Sequence, residues 1–493
     1  MKQATKTSSD KPHAYGRWLL VLFLLSLPLI NPWVRGDGVG YYAYVRSVVI
    51  DHNLQFEKDW LAANPSFQIS RLDPHGNILA DQYTRTGHLD NHFSVGPAIL
   101  WVPALIVVHG SVLAVDHLGA HVNADGYSRP YLLAMALTTA GYGFLGLWLS
   151  FCIARKYVGE RWAFLATLGI WWASSLPVYM YFNPAWSHAQ SAFSAALFLW
   201  YWNRTRPGRS LVQWMLLGLV AGLMVNVYYP NVILLLAPGI ETLANLRGDG
   251  AGDALRDRSL FRAAGYRVAF VAALAVALLP TFITRQIIYG RPFASGYPSV
   301  SIWSWTSPVL LKLLFSSDHG LLSWTPILVL SISGLVFVWK RDRVLGGSLC
   351  AIVLAYYYFI ASYPDWDGIS SFGNRFFVSL TPIFVIGLAA FLAALADWVG
   401  SQSRGWIAAV TLVVLAILWN VGFMFQWGTY LVPARGSISW ETMIHNQFAV
   451  VPERMAQDLE TYLLRRHSMM LRIEQRDNEQ QRSHPAGAAP RHQ

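Results

Sequence analysis

The chain has 493 residues, 54% of them hydrophobic and 13% charged, with a mean hydropathy of +0.35. That balance excludes an ordinary soluble domain and points to a polytopic membrane protein. The net charge of +10 is spread over short loops between apolar runs and forms no basic domain, so the Lys and Arg read as topology signals and nucleic acid is excluded as a partner.

Segment 1–17 is polar and basic, and no Ala-x-Ala-type cleavage site follows it. It reads as a cytoplasmic tail ahead of a retained first span at 18–34. Further runs of spanning length fall at 131–153, 163–182, 211–228, 264–284, 321–339, 345–363, 376–396 and 406–427. Shorter runs at 189–202 and 231–246 are counted as well, because the flanking loops keep a consistent charge pattern only if they cross. The stretch 93–115, "FSVGPAILWVPALIVVHGSVLAV", is not counted. If it crossed alone, "ARKYVGER", "NRTRPGR", "RGDGAGDALRDRSLFR" and "KRDR" would all face outward, against the positive-inside rule. Its two prolines and early glycine suit a helix lying at the interface or dipping in and out. The predicted fold is therefore an all-α polytopic membrane protein with eleven transmembrane helices in one domain, 18–427. Residues 35–129 form a large external loop carrying interfacial helices, and 428–493 form an external C-terminal tail.

Cys152 and Cys350 both lie in or at the ends of apolar runs, with no disulfide framework or metal-ligand spacing. Glu241 and Arg267 alone fall inside assigned spans, toward cytoplasmic ends where long side chains reach the headgroups. Ion-coupled transport needs charge near the midplane, so this lowers the transporter reading. The short cytoplasmic connections contain no phosphate-binding glycine motif. Chemistry is expected on the external face.

There the first loop opens with "RGDGVGYYAYVRS". Asp37 stands between two glycines at the exit of the first span, where a partly desolvated carboxylate can serve as a base. Tyr41 and Tyr42 suit an interfacial layer. Arg46, on a predicted short surface helix, has a carboxylate or a lipid phosphate as its partner. Asp51 and His92 belong to the wet remainder of the loop and are weaker candidates for substrate contact. Later loops add Lys312 and His319 before one span, and Asp365, Asp367, Asn374 and Arg375 before another. An arginine at such a mouth can grip phosphate oxygens in bidentate fashion and a histidine can donate to them; for Arg375, snorkelling to headgroups competes equally. His188, in "NPAWSHAQ", reads first as a satisfied helix-end histidine. "DWD" leaves a divalent metal open, but no third ligand accompanies the two carboxylates, and no cofactor is assigned.

These pieces resemble the C-type glycosyltransferases, the GT-C superfamily that includes protein O-mannosyltransferases and the lipid A aminoarabinose transferase. "GDGVGYYAYVR" is similar to that family's acidic motif after the first span, with Asp37 and Arg46 at the acid and the arginine. "NHFSVGPAILW" resembles the segment that opens an interfacial helix, and "HGLLSWTP" and "SFGNRFFVSLTP" resemble the later loops of bacterial members. The match covers most of residues 15–430. It departs at two points: the second acid of the motif is Gly38, and Lys-Pro-Pro is replaced by Ser94-Val95-Gly96-Pro97.

The resemblance implies a polyprenyl-phosphate-linked sugar as donor and a lipid, glycan or protein acceptor at the external face of the plasma (inner) membrane. An external enzyme cannot draw on cytosolic nucleotide sugars, and a lipid-borne sugar solves that supply problem. The expected chemistry is one inverting displacement, with Asp37 as base and Arg375, His319, Lys312 and Arg46 around the leaving phosphate. The alternative is a lipid-linked-saccharide flippase without chemistry.

Overall fold

The computed structural model describes residues 14–248, 253–297, 299–434 and 438–483. Most of the tail 1–17, the centre of the basic segment near 250 and the last ten residues therefore lie outside the described residues. Within them the protein is helical, and extended pairing is limited to two isolated bridges in the first loop, Leu72 with Ile78 and Tyr83 with Leu89.

Among the described residues five helices are long and apolar enough to cross a membrane: Gly96–His117, Arg129–Val158, Arg343–Ser362, Arg375–Trp398 and Gln402–Gly428. A sixth arises if Ala264–Ala277 and Leu279–Tyr289, bent by 42° at Pro280, form one span. This multi-pass architecture agrees with the predicted class, whereas the count of eleven does not follow from helix length and composition. Several predicted spans are short or broken. Ala14–Ser26 ends in a tight turn at Pro28, and the run 163–182 is a helix to Trp172 followed by a separate wide turn from Val178. The run 321–339 breaks before Pro326.

In the stretch expected to lie at the interface or to dip in and out, Gly96–His117 is one uninterrupted helix of 22 residues with Pro103 inside it. Its first turn contains Pro97, where a missing amide costs nothing. Gly96 lets it start against the backbone of Asn226 and Val227, where a Cβ would lie 2.2 Å from an amide nitrogen. By length and composition it qualifies as a span.

The densest packing joins Ile327–Arg341 to Arg375–Trp398, which sits at the centre of the bundle. Gly334 and Gly387 bring these two backbones together; a Cβ on Gly334 would fall 1.9 Å from the carbonyl oxygen of Gly387. Helix directions then sort the loops by end. At one end Tyr157 bonds Asn203, Arg341 bonds the Tyr157 carbonyl, and Arg206 pairs with Asp342, so "ARKYVGER", "NRTRPGR" and "KRDR" gather together. Glu241 lies near this end too. It does not snorkel: it is buried, 3.2 Å from Arg209, and accepts from the Trp202 indole at 2.6 Å.

The other end holds the first loop, the corner 183–188, the loop after 289, the segment 363–375 and the C-terminal helices. Arg285, buried, donates to the carbonyls of Asn91, His92 and Phe93 and to Tyr229, fastening the first loop to the later half of the chain. Asp90 accepts from Tyr289 at 2.5 Å, and Thr84 and Thr86 both donate to the Ile288 carbonyl.

Candidate active site

Asp37 is the first residue of helix Asp37–Arg46. The chain enters through Gly36, whose φ of +54° suits glycine, and the next residue, Gly38, lies against the corner at Ala185. A Cβ on Gly38 would stand 2.6 Å from that of Ala185. There is no space for the second acid that the GT-C motif carries, and the close approach brings Trp186 alongside.

Asp37 Oδ2 lies 2.9 Å from the Arg375 guanidinium, whose side chain is 11% exposed against 33% for Asp37. The guanidinium also stacks on Trp186, 4.4 Å from the ring centroid, and the Trp186 indole is fixed by a 3.0 Å bond to the Arg35 carbonyl. Arg375 Nε is buried with no hydrogen-bond partner among the described residues. The arginine is thus held by one carboxylate and two rings, the second being Phe376 at 5.5 Å, with donor capacity left over. Snorkelling does not describe it.

Around this pair the structure assembles some predicted residues and removes others. Tyr41 is buried within the fields of both Asp37 and Arg375. His188 is buried between Tyr179 at 4.6 Å and Tyr228 at 5.6 Å, and its Nδ1 has no partner among the described residues, so it is less satisfied than a helix-end histidine should be. His319 is buried against Trp324 at 5.0 Å; burial lowers its pKa to about 4, Asp367 opposing and Arg375 assisting. It is a neutral imidazole at pH 7, able to donate one hydrogen bond and unable to supply charge. His92 is similar: desolvation among Phe93 and Tyr297 lowers it to about 4, against the pull of Asp90 and Asp37.

Asp365 lies near Arg375, and its pKa is raised by burial and then by Asp367. Asp367 itself accepts from the Ile369 amide at 3.0 Å, and Asn374 donates to the Trp366 carbonyl at 2.8 Å, so both shape the loop that delivers Arg375. Among the described residues no three His, Cys, Asp or Glu side chains converge to hold a metal.

Arg46 is the main correction. It points away from Asp37 into a closed network: Asp51 takes two of its nitrogens, Asp59 lies at 3.5 Å, the Asp125 carbonyl accepts at 3.1 Å, and Tyr127 stacks at 4.8 Å. Four contacts thus engage a buried guanidinium that has five N–H donors, and the cavity it borders, of about 600 Å³, is a separate one shared with Asp51, Lys58 and Tyr127. Asp51, shared between Arg46 and Lys58, goes with it, and so does Tyr42, which donates to the Gly126 carbonyl at 2.6 Å. Lys312 lies exposed on the short helix Leu310–Phe315, outside these contacts.

Sequence reasoning missed Trp186, although it stands in the quoted "NPAWSHAQ", and it missed the C-terminal tail altogether. Helix Arg466–Ser483 returns to the site. Its Asp477 pairs with Arg35 at 3.1 Å, and Glu474, buried, accepts from Asn64 and from the Ser66 amide at 2.7 Å. Tyr462, on the preceding helix, donates to the Leu29 carbonyl at 2.7 Å. Two cavities result. One, of about 440 Å³, holds Asp37, Arg35, Asn183, Trp186 and Asp477. The other, of about 250 Å³, is lined mainly by apolar groups such as Trp172, Phe182, Met424 and Met469, and it shares Arg35 and Asn183 with the first.

No protein-family model matches the chain, and no curated protein matches it. Among solved structures it is similar to ArnT from Cupriavidus metallidurans bound to undecaprenyl phosphate, at 14% identity and TM-score 0.47, covering 84% of this chain and 70% of that one. It is also similar to the oligosaccharyltransferase AglB from Archaeoglobus fulgidus in complex with an inhibitory peptide and a dolichol-phosphate, at 14% identity and TM-score 0.46, over 87% of this chain and 57% of that one. The apo form of the Archaeoglobus fulgidus oligosaccharyltransferase gives 14% identity and TM-score 0.48, over 88% and 58%. Likenesses this distant carry no residue equivalences, and the chemistry of the site rests on its own side chains.

Proposed function

We propose that the protein transfers a sugar from a polyprenyl-phosphate donor to an acceptor hydroxyl at the external face, with inversion. The observation that carries this is the Asp37–Arg375 pair, a carboxylate and an under-satisfied guanidinium 2.9 Å apart, with Asp37 lining a cavity that shares Arg35 and Asn183 with an apolar one. A transfer of this kind needs those groups together: a base for the incoming hydroxyl and a fixed cation for the outgoing phosphate.

The acceptor oxygen attacks the anomeric carbon while its proton passes to Asp37. The bond from that carbon to the phosphate oxygen breaks on the opposite face, and its electron pair leaves with the polyprenyl phosphate. Arg375, swinging part of its donor capacity from Asp37 to the phosphate, takes up the growing charge and frees the carboxylate to act as base. His319 adds a neutral hydrogen bond. The apolar cavity beside Arg35 accommodates the first isoprene units.

The test is turnover of polyprenyl-phosphate-linked hexoses and pentoses by the purified chain, followed as release of free polyprenyl phosphate and formation of a glycosidic bond. Movement of intact donor across a sealed vesicle without bond formation overturns this reading in favour of a flippase.

A further inference from the structure

The 440 Å³ cavity has a lining that the proposed transfer does not by itself explain. Its lining sets neutral polar groups, Asn183, Ser66, Ser70 and Ser370 from the body and Gln480 and Gln481 from helix Arg466–Ser483, beside the rings of Phe67, Phe93 and Trp186. Amides and hydroxyls each donate and accept, so the wall suits a ligand that does both at several points. Charge narrows this further. Two cations in the lining, Arg35 and Arg71, equal in number its two carboxylates, Asp37 and Asp477, so the wall favours neither an anionic nor a cationic acceptor. The volume is that of a small-molecule site, and its floor is the proposed base.

Resting on the transferase reading, we infer that the acceptor is a neutral saccharide and that helix Arg466–Ser483 forms the selecting wall of its site. The helix is held to the site at three levels: Glu474 on the Ser66 amide, Asp477 on Arg35, and Arg476 on the Thr429 carbonyl at 2.9 Å. Gln480 and Gln481 follow one turn after Asp477 and are carried to the cavity by those anchors. A wall that hydrogen-bonds several hydroxyls discriminates strongly, because a wrong isomer leaves polar groups unpaired.

The experiment places a cysteine at Gln481 in the full chain and follows its modification by a charged thiosulfonate reagent, with the unsubstituted chain as the blank for Cys152 and Cys350. The probes are methyl hexosides, methyl pentosides and disaccharides, with undecaprenyl phosphate and a Ser/Thr-containing peptide alongside. A neutral saccharide present at twice its dissociation constant should slow modification about threefold. The same saccharide should speed donor consumption by the unsubstituted chain, and Asn183→Ala should weaken both effects. Protection by undecaprenyl phosphate alone gives the cavity to the donor, protection by the peptide alone makes the acceptor a protein, and protection by nothing removes the site; each overturns the inference. Donor turnover lost in Asp37→Asn alongside any of these outcomes leaves the transferase reading standing, so the two fail separately.

Discussion

Helix Asp37–Arg46 carries a charge at each end, and the two ends are finished differently. Both border a cavity, but Arg46 is ringed by Asp51, Asp59, the Asp125 carbonyl and Tyr127, whereas Asp37 meets one guanidinium that keeps an unpartnered nitrogen. Buried charge with every partner supplied is how a structure is fixed; an ion pair left partly unsatisfied beside open volume is how chemistry is prepared. In the sequence the two residues looked alike, since both match the same short motif.

Asp37→Asn is the largest test of that contrast. It keeps shape and hydrogen-bonding capacity but removes the base, so transfer should fall by about 10² or more while donor binding largely survives. Near-normal transfer with a defined donor and acceptor would return Asp37 to the status of a solvated loop acid. Arg375→Ala should weaken donor binding as well as turnover, because a cation facing phosphate acts in both the ground and the transition state.

Arg46→Ala should show the reverse pattern. Removing the cation strands Asp59, and breaking a buried pair costs about 3 kcal/mol or more, read as a lower unfolding temperature in detergent. The surviving folded fraction should keep its turnover per molecule. A loss of turnover at unchanged stability would place Arg46 in the donor site after all.

The network also has a pH signature. Burial raises Asp59 to about 6 from an ordinary value of 3.8, with Arg46, Tyr127 and Ser47 pulling the other way. A carboxyl whose folded pKa is raised binds its proton more tightly folded than unfolded. Its contribution is therefore full below pH 4 and is lost as pH rises through 6. Asp59→Asn should flatten the stability profile between pH 4 and 6, and an unchanged slope would assign that titration elsewhere. Gly38→Ala probes the other end of the helix. Its Cβ would meet Ala185 at 2.6 Å, and the strain, about 1–3 kcal/mol, should displace Trp186 and with it Arg375. Turnover should fall further than stability alone accounts for, a split that mere overpacking does not give.

Much of the architecture was legible because apolar runs and loop charges report local requirements. The basic loops at Lys156, Arg206 and Lys340 mark one end of the bundle, and Asp37 stands out by its place after the first apolar run. What escaped is what depends on distance in the chain. Nothing local says that Arg46 will meet Asp125 or that Asp37 will meet Arg375. The charge-rich segment after 451 looked like a solvated tail because its helices bury few side chains; they dock through Tyr462, Glu474 and Asp477 instead. The stretch 93–115 contains two prolines, and the helix absorbs both, one in its first turn and one inside it.

Lys312→Gln should have the smallest effect, and for that reason it sharpens the comparison. Both Lys312 and Arg375 precede spans, and both are cations that a lipid phosphate could recruit. Arg375 is 11% exposed, stacked and oriented by Asp37, while Lys312 is exposed on a helix of six residues. A flexible ammonium in water contributes through a screened field, within about 1 kcal/mol, so donor affinity should change by about fivefold at most and the change should vanish at high salt. The affinity lost in Arg375→Ala should persist at the same salt, since that group is desolvated. If the two variants lose affinity equally and with equal salt dependence, the phosphate is held by diffuse surface charge, and the Asp37–Arg375 pair loses its claim to be the point of transfer.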